Sequence, residues 1–108
     1  MKITRVQDSE RPEGQRVYAR LLIDGEQSNV RLIRLGPREA LPPHRHGASE
    51  LMLYAVSGHG ELDADDGVMR FEAGALACFS GNEELRVRNT GSEELTLLAF
   101  LSPRFSPT

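Results

Sequence analysis

Hydrophobic and polar residues alternate along most of this chain with the period of two that is typical of a half-buried β-strand. The stretch 29–35 is the clearest case, because odd and even positions fall on opposite faces and Gly36-Pro37 then stops the strand. No stretch has a convincing helical period, and the best helix candidate, 83–88, is too short. Short strands separated by glycine and proline indicate an all-β sandwich or a closed barrel. The pattern predicts eight strands, at residues 16–23, 29–35, 51–56, 59–64, 68–72, 75–79, 85–89 and 95–101.

Four of these strands carry further expectations. The strands at 59–64 and 68–72 flank Asp65-Asp66-Gly67, and because Asp-Gly is a strong turn signal we expect a hairpin there. The strand at 51–56 is apolar on both faces, which is typical of a strand covered on both sides. One face would line the barrel, and a second copy of the chain is the simplest cover for the other, so we expect a homodimer. Cys78 lies between apolar neighbours, and we expect a buried structural thiol.

Composition and charge limit the classes of partner. The chain has 108 residues, so we expect a single domain at 1–108, with a barrel core at about 16–101 and a tail at 102–108 that trails over the surface. A net charge of −3 without a basic stripe argues against nucleic acid. No apolar run approaches the ~20 residues of a membrane helix, and from the first residues we expect no signal peptide. The single cysteine cannot form an intramolecular disulfide, which fits a cytoplasmic protein.

The most distinctive chemistry lies at residues 44–50. Pro42-Pro43 forces an extended backbone just before His44 and His46. Side chains two residues apart on an extended segment point to the same face, so both imidazoles would face the same space. Together with the Glu50 carboxylate they would form a two-histidine, one-carboxylate site for Fe, Mn, Ni or Zn, with coordination positions left open. The sequence therefore predicts His44, His46 and Glu50 as metal ligands and identifies no catalytic residue.

Around these histidines the sequence resembles the cupin family, whose members are small double-stranded β-helix (jelly-roll) barrels of the RmlC-like type. The family's first motif places His-x-His and a glutamate between two glycines, and its second motif begins at a glycine and ends at an asparagine. The resemblance covers roughly residues 30–101 and implies a cupin barrel with a metal inside it. The matching residues are Gly36, His44, His46, Glu50 and Gly58 in the first motif, and Gly74 and Asn89 in the second.

Both motifs depart from the family pattern at ligand positions. In the second motif Leu85 stands where the family has a histidine, its fourth metal ligand, and leucine coordinates nothing. In the first motif, counting forward from His46 places the carboxylate at Glu50, whereas counting back from Gly58 places the ligand position at Leu51. Neighbouring strand residues face opposite sides. Either a bulge turns Glu50 inward, or Leu51 faces the barrel and Glu50 points away.

These features leave three hypotheses for function. The first is a metal-dependent enzyme, with dioxygenase-like or isomerase chemistry implied by the resemblance, in which a divalent metal acts on a small organic molecule. The second is a non-catalytic binding or sensor protein that has lost its metal and binds a small apolar or carboxylate-bearing ligand. The third is a metal-free enzyme, as in sugar epimerases of related fold, with His46 or His59 as the base.

Overall fold

Eight β-strands form the regular structure of the chain, in a computed structural model that describes residues 1–9, 12, 17–64 and 67–105. All eight predicted strands are present, with ends that differ from the predicted ones by a few residues. A short 3₁₀ turn, Val6–Asp8, is the sole helical element among the described residues. The strands are β1 Val17–Asp24, β2 Asn29–Leu35, β3 Glu50–Ser57, β4 His59–Ala64, β5 Gly67–Glu72, β6 Leu76–Phe79, β7 Val87–Asn89 and β8 Leu95–Ser102.

The strands form two antiparallel sheets that enclose one apolar core. The larger sheet has the order β1-β2-β8-β3-β6, and the smaller has the order β5-β4-β7. The predicted hairpin is present as the β4–β5 pair, although Asp65 and Asp66 of its turn lie outside the described residues. Both sheets contribute to the core, with Leu53 and Leu97 from the larger and Leu62 from the smaller. The chain is therefore all-β, as the alternation predicts.

The segment that carries the histidines lies between β2 and β3 and pairs with the segment before and within β7. Isolated bridges join Ala40 to Arg88 and His44 to Leu85. The backbone N–H of Leu85 donates to the carbonyl of His44 at 2.9 Å. Because residues directly opposite in an antiparallel pair project to the same side, the pairing puts the side chains of His44 and Leu85 next to each other.

Two expectations from the sequence are wrong in detail. The thiol of Cys78 is exposed instead of buried, because Cys78 pairs with Met52 and both side chains point to the outer face of the larger sheet. The tail does not simply trail over the surface. Ser102 extends β8, Ser49 Oγ donates to the Pro103 carbonyl at 2.6 Å, and Phe105 packs against the core. Residues 106–108 of the predicted tail lie outside the described residues.

No helix among the described residues is long and apolar enough to cross a membrane.

Candidate functional site

A cavity of about 530 Å³ lies against the inner face of the larger sheet. Strands β1, β2 and β8 provide its wall, the histidine segment and Leu85 provide another side, and the C-terminal segment adds one aromatic ring. Most of the lining is apolar, and the polar groups are two histidines and two arginines. The lining residues are Ala19, Arg31, Ile33, Leu41, His44, Arg45, His46, Leu85, Ala99, Leu101 and Phe105.

His44 and His46 both reach this cavity, as the two-residue spacing predicts. Their ring centroids are 4.5 Å apart, and the rings meet edge to face. His44 Nδ1 lies 3.0 Å from the carbonyl oxygen of Pro42. His46 is only 4% exposed, and its Nδ1 atom is buried without a hydrogen-bond partner among the described residues. One polar atom of the pair therefore has an unsatisfied hydrogen-bonding capacity in the described part of the chain.

Burial decides the charge of His46. Desolvation is the largest cause that lowers its pKa, and the charges of His44 and Arg31 lower it further, to about 4. The imidazole is consequently neutral at pH 7 and carries one N–H donor and one acceptor nitrogen. A neutral imidazole can bind a metal, donate to an anion or accept from a hydroxyl.

The third predicted ligand, Glu50, does not join the two histidines. Its side chain is exposed at the start of β3, whereas Leu51 is fully buried and its strand partners are Leu101 and Phe79. The structure therefore takes the alternative in which Leu51 faces the interior. No bulge occurs at this end of β3, since the register of its pairing with β8 shifts only between Ala55 and Ser57.

The donor set is incomplete for a metal of the kind the family implies. Leu85, opposite His44, is 1% exposed and offers no donor atom. No group of three or more His, Cys, Asp or Glu side chains suited to a metal ion occurs within residues 1–9, 12, 17–64 and 67–105. Catalytic zinc and non-haem iron sites use three protein ligands. Two imidazoles alone do not fit that requirement.

Two further lining residues, Arg31 and Phe105, were not singled out as site residues by the sequence. The guanidinium carbon of Arg31 lies 5.6 Å from the centre of the Phe105 ring, within range of a cation–π interaction. Phe105 also meets His46 edge to face, with ring centroids 5.0 Å apart. The Nε atom of Arg31 is buried and has no hydrogen-bond partner in the described part of the chain.

The signals for these two residues differ. Arg31 shares its strand face with the core residues Ile33 and Leu35, so alternation alone could have identified it as an inward arginine. Phe105 follows the last strand in a segment without any period, and no local pattern marks it as part of the cavity.

Comparison with known proteins supports the fold and leaves the reaction open. No protein of curated function matches the sequence. An uncharacterised protein with a double-stranded β-helix domain from Klebsiella pneumoniae is similar over 95% of this chain and 90% of its own, with 19% identity and a TM-score of 0.85. An RmlC-like cupin protein from Desulfovibrio desulfuricans is similar over 97% of this chain and 99% of its own, with 23% identity and a TM-score of 0.82.

A third solved structure is described as a predicted oxalate decarboxylase from Thermotoga maritima, and it covers 81% of this chain and 80% of its own with 21% identity and a TM-score of 0.73. At these identities the likeness shows a shared fold and not a shared activity. The family model for the cupin domain matches residues 31–101, which include both histidines, the strands β3 to β7 and all of β8 except its last residue. The chain belongs to the cupin family.

Proposed function

We propose that this cupin binds a small organic molecule in the cavity beside His44 and His46, and that binding does not require a resident metal. The observation that carries the proposal is an apolar cavity of about 530 Å³ whose lining residues include His46 and Arg31, each with a buried nitrogen, Nδ1 and Nε, that has no partner among the described residues. Ligand pockets for small molecules typically have volumes of ~300–1,000 Å³ and a few polar groups on an apolar lining. A buried donor or acceptor without a partner is costly, so a ligand that satisfies it gains affinity.

A second candidate function is a metal centre held by the histidine pair. The 4.5 Å separation of the two rings and the neutral state of His46 at pH 7 favour it. Glu50, the third ligand that the sequence predicts, would have to turn inward from its exposed position for the predicted three-ligand set to form. A bound Fe, Mn, Ni or Zn would supply a Lewis acid or a redox centre.

Binding is tested by titrating a library of neutral and charged organic fragments into ¹⁵N-labelled protein. We expect amide shifts at cavity residues such as Ala99 and Leu101, and we expect Ala19→Phe to abolish them because Ala19 lies at the exposed edge of the cavity. Met69→Phe places the same side chain on the smaller sheet and should leave the shifts unchanged. The proposal fails if no fragment perturbs the cavity amides or if Ala19→Phe binds as well as the native chain.

Elemental analysis of the same tag-free protein separates the two candidates. Near-stoichiometric metal that disappears in His46→Ala would establish the second candidate. Fragment binding by metal-free, chelator-treated protein would establish the first.

We also propose that the protein is a homodimer formed through the outer face of the larger sheet. Met52 lies between Phe100 and Cys78 in the strand register, and all three side chains are exposed. Leu76, on the edge strand of the same sheet, is 71% exposed. Contiguous exposed apolar side chains of this kind commonly mark a protein interface.

A further inference from the structure

The lining of the cavity carries positive charge, whereas the chain as a whole has a negative net charge. The protein has a net charge of −3, with 16 acidic and 13 basic residues. Nevertheless, among the described residues, the polar side chains around the cavity are Arg31, Arg45, His44 and His46, without an aspartate or glutamate. A mainly apolar space whose described polar lining is cationic or neutral favours an anion over a cation or a neutral polar molecule.

The two arginines differ in whether their guanidinium groups already have hydrogen-bond or ion-pair partners. Arg45 donates to the backbone carbonyl of Asn82 and lies 3.8 Å from the carboxylate of Glu84, with its own side chain 59% exposed. Arg31 has no ion pair with any described residue, its Nε atom is buried without a partner, and its other contact is the Phe105 ring. Arg31 is therefore the guanidinium that is free to bind a ligand.

The strand register fixes Arg31 deep in the wall. It lies opposite Ala99 of β8 and between Asn29 and Ile33 on the inner face of β2. Ala99, with its small side chain, and His46 line the same cavity as Arg31. An Arg Nε–H with an adjacent Nη–H forms a fork that matches the two oxygens of a carboxylate.

We propose that the cavity recognises a small monocarboxylate with an apolar body, whose two oxygens pair with the guanidinium of Arg31 and with the imidazole of His46. This inference rests on the proposed function, since it names the ligand class of the same site. The apolar side chains of Ile33, Leu41 and Leu85 surround the remainder of the ligand. A phosphate dianion fits less well, because one fork and one imidazole donor would leave its other oxygens against apolar side chains.

Isothermal titration calorimetry with chelator-treated protein tests the assignment, with benzoate and hexanoate as probes and with benzyl alcohol and hexanol as their neutral counterparts. We expect the carboxylates to bind at least tenfold more tightly than the alcohols. Arg31→Gln should weaken carboxylate binding about ten- to hundredfold and leave alcohol binding unchanged, because it removes the charged fork alone. Arg31→Lys, which keeps the charge and loses the fork, should recover only part of the affinity.

Arg70→Gln is the matched control, because it removes an exposed arginine of the smaller sheet that is paired with Glu72 and does not line the cavity, and it should change carboxylate affinity less than threefold. Alcohols that bind as tightly as carboxylates, or an Arg31→Gln protein with native carboxylate affinity, would overturn the ligand class and leave small-molecule binding in the cavity established. Failure of all four probes to bind would overturn the monocarboxylate assignment, while the fragment titration with Ala19→Phe decides separately whether the cavity binds any ligand. Thermal melting of each variant checks that the fold is retained.

Discussion

At the scale of single residues, His46 is the side chain whose environment most changes its chemistry. Its ring lies between His44 and Phe105 and is almost completely buried. Burial there penalises the imidazolium, so the folded state holds His46 neutral at a pH where an unfolded chain would protonate it. The unfolded chain therefore binds a proton at His46 at a higher pH than the folded protein does. This difference makes the stability of the fold depend on pH, which is measurable.

We predict that stability falls as pH decreases from 6.5 to 4. In that window the unfolded state binds a proton at His46 and the folded state, with its pKa of about 4, does not, so the free energy of unfolding rises with pH there. The full contribution is on the order of 3 kcal/mol, at 1.36 kcal/mol for each unit of pKa difference. Urea unfolding at a series of pH values, with a chelator present, measures it.

This prediction is checked with two single variants, each of which replaces one histidine. His46→Gln should reduce the pH dependence in the window, since the titrating group is gone. His59→Gln, on the first residue of β4, should keep the native slope because His46 is intact. Parallel pH profiles for the native protein and His46→Gln would show that His46 is not the group responsible.

At the scale of elements, the position of the histidine segment depends on one close backbone approach. The carbonyl of Gly81 accepts hydrogen bonds from the N–H groups of His46 and Gly47, both at 3.1 Å. A Cβ atom on Gly81 would lie 1.8 Å from the carbonyl oxygen of Gly47, which is an impossible contact. Because Gly81 has no side chain, the histidine segment can lie directly against the segment before β7, where the two hydrogen bonds hold it.

We predict that Gly81→Ala destabilises the fold by about 1–3 kcal/mol, the usual cost of overpacking, and displaces His46. Denaturant unfolding gives the stability, and the imidazole resonances of His46 report its displacement. Asn82→Ala, on the exposed neighbouring residue, should change neither quantity by a comparable amount. Native stability in Gly81→Ala would mean that the two segments separate at no cost and that the contact does not position the histidines.

The strands were predictable because the property that defines them is local. Alternation along 29–35 and the turn signal before Gly67 depend on neighbouring residues alone, and β2 and the β4–β5 hairpin agree with them. The orientation of Cys78 was not predictable in this way. Its strand is apolar on both faces, so composition could not decide which face turned outward, and the register with Met52 decided it.

At the scale of the whole molecule, the site was predictable only where the spacing of residues along the chain fixed it. The two-residue spacing of His44 and His46 placed both rings at the cavity. Whether Glu50 or Leu51 faces inward depends on the pairing of β3 with β8, which a single sequence does not reveal. Asn29 Nδ2 donates to the carbonyl of Phe105 at 2.7 Å, a contact between residues 76 positions apart in the chain that local sequence does not predict.

The outer face of the larger sheet gives the last prediction, which concerns assembly. Its centre combines the exposed side chains of Met52 and Phe100, and a glutamate there would have to be desolvated if two copies meet through this face. We predict that the native protein sediments as a dimer and that Met52→Glu shifts it to monomer at micromolar concentration. Because Met52 points away from the core, the monomeric variant should keep its fold, as circular dichroism would show.

Val68→Glu is the matched control, since Val68 is also exposed and apolar but lies on the smaller sheet. It should leave the dimer intact, because Val68 lies outside the proposed interface on the larger sheet. Sedimentation velocity on both variants at equal concentration separates the two faces. If the native protein is a monomer, the apolar face is uncovered in solution and the homodimer is wrong. If Val68→Glu dissociates the dimer while Met52→Glu does not, the interface lies on the smaller sheet instead.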